Sequence, residues 1–150
     1  MKRYKGGCSC GSVRFELDGG LLWTIVCHCD ACKKRTGSAF GLSIVVETAS
    51  VKEFVGPTTT FTRIGDSGKP VQYEFCSTCG TTLRWHVKLI PNRQAFAGGA
   101  FDEAGQFQIC GEMYTADALA WSRIGCELSR PGAADDQLRN AMIEKAKSFS

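Results

Sequence analysis

Seven of the nine cysteines in this chain fall into three short clusters: Cys8-Ser9-Cys10-Gly11, Cys27-His28-Cys29-Asp30-Ala31-Cys32 and Cys76-Ser77-Thr78-Cys79-Gly80. Cysteines with one or two residues between them rarely bridge one another. The spacing suits thiolates converging on a soft ion, with zinc the default. An odd cysteine count also argues against a disulfide framework. Seven ligands divide into four and three. Four thiolates close a tetrahedral structural site, and three leave one position open, the arrangement of sites that do chemistry.

The first and third clusters form the set of four. In an extended or tightly turned segment, residues i and i+2 face the same side, so Cys8 and Cys10 can offer two sulfurs to one ion. Cys76 and Cys79 form a C-x-x-C. Each pair is followed by a glycine, Gly11 or Gly80, which relieves the backbone where a turn must aim its N–H groups at sulfur. Such a site would tie the N-terminus to the middle of the chain. The middle cluster supplies the set of three, Cys27, Cys29 and Cys32. Either it keeps an open position, or Cys110, Cys126 or His28 completes it as a second structural site. An ion held by three thiolates is suited to binding an external thiol as thiolate, because coordination lowers the thiol's pKa.

His28 lies between two ligands and points away from the metal if Cys27 and Cys29 face it, which makes it a hydrogen-bonding or packed histidine. His86 reads as an outward strand residue beside Trp85. Cys110 and Cys126 read as buried free thiols. Lys33, Lys34 and Arg35 follow directly on Cys32, and three cations there could offset the negative trithiolate site and attract substrate carboxylates. A solvated charged face is the competing reading.

The formal charge of +3 counts the cysteines as neutral. Seven thiolates and two zinc ions would bring it to about zero, and no long basic tract remains to hold phosphate. Nucleic acid is therefore not an expected partner. The apolar runs, such as 21–26, are too short to span a bilayer. The basic start Met1-Lys2-Arg3-Tyr4-Lys5 leads into Gly6-Gly7-Cys8 and not into a signal-peptide core. The expectation is a cytoplasmic protein with its thiols reduced. A length of 150 residues is most simply one domain, 1–150.

Period-two alternation and turn signals predict strands over 13–17, 21–26, 40–46, 51–55, 58–64, 71–75, 81–87, 94–101 and 107–110. Many short strands at this spacing make the fold mainly antiparallel β. Short helices are expected at 30–36 and 117–123. A C-terminal helix of about 135–148 should be capped by Asp135, with Leu138, Met142 and Phe149 along one face.

The ordered motifs Gly7-Cys8-Ser9-Cys10-Gly11-Ser12-Val13-Arg14-Phe15, Cys27-His28-Cys29-Asp30-Ala31-Cys32-Lys33-Lys34-Arg35-Thr36-Gly37-Ser38 and Phe75-Cys76-Ser77-Thr78-Cys79-Gly80 resemble the glutathione-dependent formaldehyde-activating enzyme family, which includes the centromere protein V-like proteins. The resemblance covers roughly residues 4 to 120. It implies antiparallel sheets of the β-tent type. It implies two zinc ions per chain: a structural one on Cys8, Cys10, Cys76 and Cys79, and a catalytic-type one on Cys27, Cys29 and Cys32. The implied partners are glutathione, or a similar small thiol, and a small aldehyde. The implied activity is that of a carbon–sulfur lyase, joining glutathione and formaldehyde as S-hydroxymethylglutathione. The alternatives are a zinc-stabilised binding module without catalysis, or a thiol carrier.

Overall fold

The computed structural model describes residues 2–149, and it is mainly β. Contacts gather the chain into two compact units. Unit 1 holds residues up to Leu21 and Val45–Ala104, and unit 2 holds Leu22–Ile44 and residues from Gly105 onward. Among the described residues no helix is long and apolar enough to cross a membrane.

Unit 1 contains a three-stranded antiparallel sheet in the order β1 (Arg3–Gly7), β2 (Arg14–Asp18), β5 (Val51–Val55). It also contains an antiparallel run in the order β9 (Arg93–Ala97), β8 (Thr82–Val87), β7 (Pro70–Cys76), β6 (Thr58–Ile64). Strands β1 and β2 bury alternate residues: Tyr4 and Gly6, then Phe15 and Leu17. This is the pattern of a sheet with one face on the core. Phe15, 2% exposed, packs edge-on against Phe101, tilted against Phe96 and stacked near Phe54. Buried aromatic groups of this size supply much of a small core's stability. An ion pair between Arg14 and Asp102 fastens β2 to the chain after β9 from outside.

Unit 2 contains β3 (Leu21–Cys27), the start of β4 (Gly41–Glu47), β10 (Gly111–Met113), α1 (Asp30–Thr36) and α2 (Asp136–Lys147). Strand β10 lies parallel to β3, with Met113 opposite Cys27 and Glu112 opposite Val26. Five consecutive residues of β3, Trp23–Cys27, are buried. Such a continuous run marks a strand covered on both faces. Helix α2 begins at Asp135, whose carboxylate accepts from Leu138 N at 2.7 Å. It buries Leu138, Met142 and Ala146. Met142 lies against Gly111, where a Cβ would come within 2.9 Å of its sulfur.

Several expectations need correction. The strand expected over 94–101 ends at Ala97, and the chain then tightens into a 3-10 turn at Gly98–Ala100, because two glycines break the extended run. Residues 107–110 are not a strand; the pairing with β3 begins at Gly111. Residues 117–123 do not form a helix beyond a 3-10 turn at Thr115–Asp117. Phe149 lies beyond α2 and is exposed, and Ala146 takes the third core position. Strand β1 was not anticipated, because Lys2, Arg3 and Lys5 hide the alternation of a basic edge strand.

Candidate metal centres

The first centre is built from two hairpin turns in unit 1. Between β1 and β2, Cys8 N donates to Val13 O (3.1 Å) and Gly11 N to Cys8 O (3.1 Å). Between β7 and β8, Cys76 N donates to Thr81 O (2.9 Å) and Gly80 N to Cys76 O (2.9 Å). Each turn closes through a left-handed glycine, Gly11 at φ 79° and Gly80 at φ 74°. No atom lies near a Cβ at either position, so backbone conformation and not space calls for glycine. The four sulfurs of Cys8, Cys10, Cys76 and Cys79 all lie within 4.8 Å of one another. Cys8 and Cys10 sulfurs are 3.4 Å apart, and those of Cys10 and Cys76 are 3.8 Å apart. Tetrahedral thiolates at zinc–sulfur distances of about 2.3 Å would be about 3.8 Å apart, so the set fits zinc.

The protein already solvates these sulfurs. Val13 N donates to Cys8 Sγ (3.2 Å) and Thr78 N to Cys76 Sγ (3.4 Å). Ser12 Oγ lies 3.2 Å from Cys10 Sγ, and Thr81 Oγ1 lies 3.1 Å from Cys79 Sγ. The Thr81 hydroxyl and backbone, with Ser9, bring the Cys79 thiol down to about 5. A thiolate is the form a metal binds.

The second centre lies in unit 2, where β3 ends and α1 begins. Cys27 is the last residue of β3, Cys29 is the N-cap of α1, and Cys32 sits in its first turn. Cys32 N donates to the Cys29 sulfur (3.4 Å), and the Cys27 and Cys29 sulfurs are 3.4 Å apart. The three sulfurs lie within 4.8 Å of one another. Among the described residues no fourth cysteine, histidine or carboxylate joins that group, so neither Cys110 nor Cys126 completes it. The Cys29 and Cys32 sulfurs, together with burial, push the Cys27 thiol far above its ordinary value. The Cys32 thiol is also raised; its bond to Cys27 opposes the rise, and Cys29 and burial outweigh it. Three sulfurs crowded together in this way, with Cys27 buried and Cys29 and Cys32 half-buried, need a cation to carry their charge, which again fits a metal.

Of the three cations after Cys32, Lys33 pairs with Asp30 (2.9 Å) and donates to Asp117 O (2.9 Å). Lys34 is exposed. Arg35 turns back on the cluster: a Cβ on Gly41 would meet Arg35 Nη2 at 2.5 Å and Cys32 Sγ at 3.5 Å. Gly41, at the start of β4, is therefore a close-approach glycine that sequence reading missed; its signal was a glycine opening an apolar strand. His86 is half-buried on β8, and burial lowers its pKa.

His28 does point away from the sulfurs. It is fully buried, and Nε2 lies 2.8 Å from Glu112 Oε2, with Glu112 also fully buried. Ile124 N donates to Glu112 Oε2 (3.0 Å) and Cys126 N to Oε1 (2.8 Å). Burial alone would raise the Glu112 carboxyl, but the donors from Cys126, His28 and Ile124 hold it down to about 2. An ionised carboxylate only accepts, so His28 Nε2 is the protonated nitrogen. Its Nδ1 is buried without a hydrogen-bond partner. Glu112 was not singled out from sequence, because the residue gains its meaning only from the register of β10 on β3.

A family model described as glutathione-dependent formaldehyde-activating enzyme matches residues 3–117. A crystal structure of a Rhodobacter sphaeroides protein, a structural-genomics target, is similar with a TM-score of 0.51 and 21% sequence identity. The match covers 65% of this chain and 87% of that one. At that identity it speaks to fold alone.

Proposed function

Because the chain belongs to the glutathione-dependent formaldehyde-activating enzyme family, we propose that it joins a small thiol such as glutathione to a small aldehyde such as formaldehyde. The observation that carries this reading is the three-sulfur group of Cys27, Cys29 and Cys32, set apart from the four-sulfur group. We assign a structural zinc to Cys8, Cys10, Cys76 and Cys79, and a catalytic-type zinc to Cys27, Cys29 and Cys32. When bound there, zinc supplies the positive charge that lets an incoming thiol lose its proton near neutral pH. The thiol sulfur donates its lone pair to the aldehyde carbon and a carbon–sulfur bond forms. The carbonyl π pair moves to oxygen, which takes up the proton the thiol gave away, and the product is a hydroxymethyl thioether. The reverse reaction is a carbon–sulfur lyase step.

The residues around the site have supporting roles in this reading. Arg35, beside Cys32, favours its thiolate and offsets the negative charge, and with Lys33 and Lys34 it offers an anion contact for the carboxylates of glutathione. We read the chain as one domain, a reading supported by neither unit being a continuous stretch of sequence. A reducing compartment such as the cytoplasm suits the free thiols.

Exchange NMR of formaldehyde with glutathione tests the reaction. The zinc-loaded protein should speed exchange between free and sulfur-bound formaldehyde, and Cys29→Ser should abolish the acceleration. An unaccelerated rate with glutathione and several other thiols overturns the enzymatic reading. Glutathione binding without acceleration would identify a carrier.

A further inference from the structure

The second centre contains one feature the proposed reaction does not use: a buried carboxylate behind the metal-facing loop. Cys27 and Cys29 face one side of the chain, and His28, the residue between them, faces the other. Where the His28 ring is fixed therefore decides where the two sulfurs point. Strand β10 fixes it twice. His28 N donates to Met113 O (3.1 Å), and Nε2 donates to Glu112 Oε2 (2.8 Å). Glu112 is held in turn by backbone N–H groups of Ile124 and Cys126. Phe40 closes over the His28 ring edge-on, with centroids 5.8 Å apart.

Burying a carboxylate completely is costly, and a hydrophobic residue of similar volume is often no worse for stability. A carboxylate kept in such a place, with every bond directed to a loop, is well placed to fix geometry. We propose that Glu112 is a positioning residue for the second metal centre. Through His28 it holds Cys27 and Cys29 in ligand-ready orientation, and through Ile124 and Cys126 it couples the 124–126 loop to the loading of that centre. The inference rests on the reading that Cys27, Cys29 and Cys32 hold a metal, and it is independent of which substrates react there.

The test uses the full chain loaded with cobalt(II), whose thiolate charge-transfer bands report each site. Glu112→Gln keeps the shape and removes the charge. The expected result is a folded protein that keeps the metal of the four-cysteine centre and binds the second cobalt about 10–100-fold more weakly, the range found when groups behind metal ligands are lost. Glu112→Asp, which keeps the charge on a shorter arm, should recover part of the affinity. A second-site affinity within about twofold of native, with unchanged bands, overturns the proposal.

A measurement on the native chain stands apart from any failure of the variants to fold. Loading the second centre should slow amide exchange at Ile124 and Cys126. Exchange there that ignores loading, while the Cys27 and Cys29 region responds, overturns the coupling. A native protein that takes up a single metal overturns both this inference and the zinc assignment it rests on. Retention of the metal effects without formaldehyde turnover would strike the proposed reaction alone.

Discussion

Cys79 lies at the surface with a threonine hydroxyl at its sulfur, whereas Cys27 is buried against two other sulfurs. The contrast is not uniform, since Cys76 of the first centre is also buried and its thiol is also raised. In unit 1, two hairpin turns bring four sulfurs together and answer them with N–H groups and hydroxyls. In unit 2, three sulfurs are crowded between the end of a strand and the start of a helix, and their charge is answered by Cys32 N, by Arg35 and by whatever cation they bind. The first arrangement gathers four sulfurs and lowers the Cys8 and Cys79 thiols, while the Cys76 thiol stays raised. The second gathers three sulfurs, which in the proposed reading leave one position on a bound metal for a ligand from outside. Closure suits a scaffold, and incompleteness suits chemistry.

The sharpest way to break this comparison is a pair of serine substitutions. Cys76→Ser removes a ligand that ties two hairpins together, and structural zinc is folding free energy. Loss of the cooperative thermal transition is the expected outcome, read by circular dichroism. Cys29→Ser should leave that transition in place and remove one equivalent of metal, read by elemental analysis. Equal damage from both variants would mean that both centres are structural.

Chelator titration gives the next largest contrast. Three protein ligands hold an ion less firmly than four, so the second centre should empty first, with activity lost while the fold persists. Release of both ions in a single step would erase the distinction.

The aromatic core of unit 1 then separates metal from packing. Phe15→Ala should cost about 3–5 kcal/mol in denaturant unfolding, as large core truncations do. It should leave the metal content of the second centre unchanged. Loss of metal from Cys27, Cys29 and Cys32 in that variant would show that the two units share their stability.

The smallest effect concerns the cap of α2. The Asp135 carboxyl is held below its ordinary range by Arg130 and by Leu138 N–H. A carboxyl lowered in the folded state stabilises it above the ordinary value of 3.8, and that contribution fades as pH falls through the lowered one. Asp135→Ala should therefore lower the melting temperature slightly at neutral pH, by a margin that shrinks in acid. A constant margin across that range would assign the effect to helix propensity and not to the charged cap.

Much of this molecule was legible in the sequence because the responsible signals are local. Helix α1 was expected at 30–36 and spans Asp30–Thr36. Strands at 51–55 and 58–64 match β5 and β6. The division of the cysteines into four and three follows from spacing and agrees with the sulfur groups. The misses are non-local. Residues 107–110 are apolar enough for a strand, but only Cys110 N reaches the β3 backbone, at Thr24 O, and the paired register begins at Gly111. Phe149 continues the apolar stripe of α2 on paper, yet the helix ends before it at Lys147.

The sequence by itself determined which atoms could meet: sulfurs with one or two residues of chain between them, glycines where turns must reverse, and a helix start just after Cys29. Those constraints act over a few residues, where backbone geometry leaves little choice. Only the tertiary structure decided what stands behind the sulfurs. The register of β7 on β8 shifts between Glu74 and Phe75, and the burial pattern changes phase so that Cys76 turns inward. The pairing of β10 with β3 carries Glu112 to His28 across 84 residues of sequence. No local pattern encodes such a contact, because the burial of a carboxylate depends on donors that distant strands and loops bring to it.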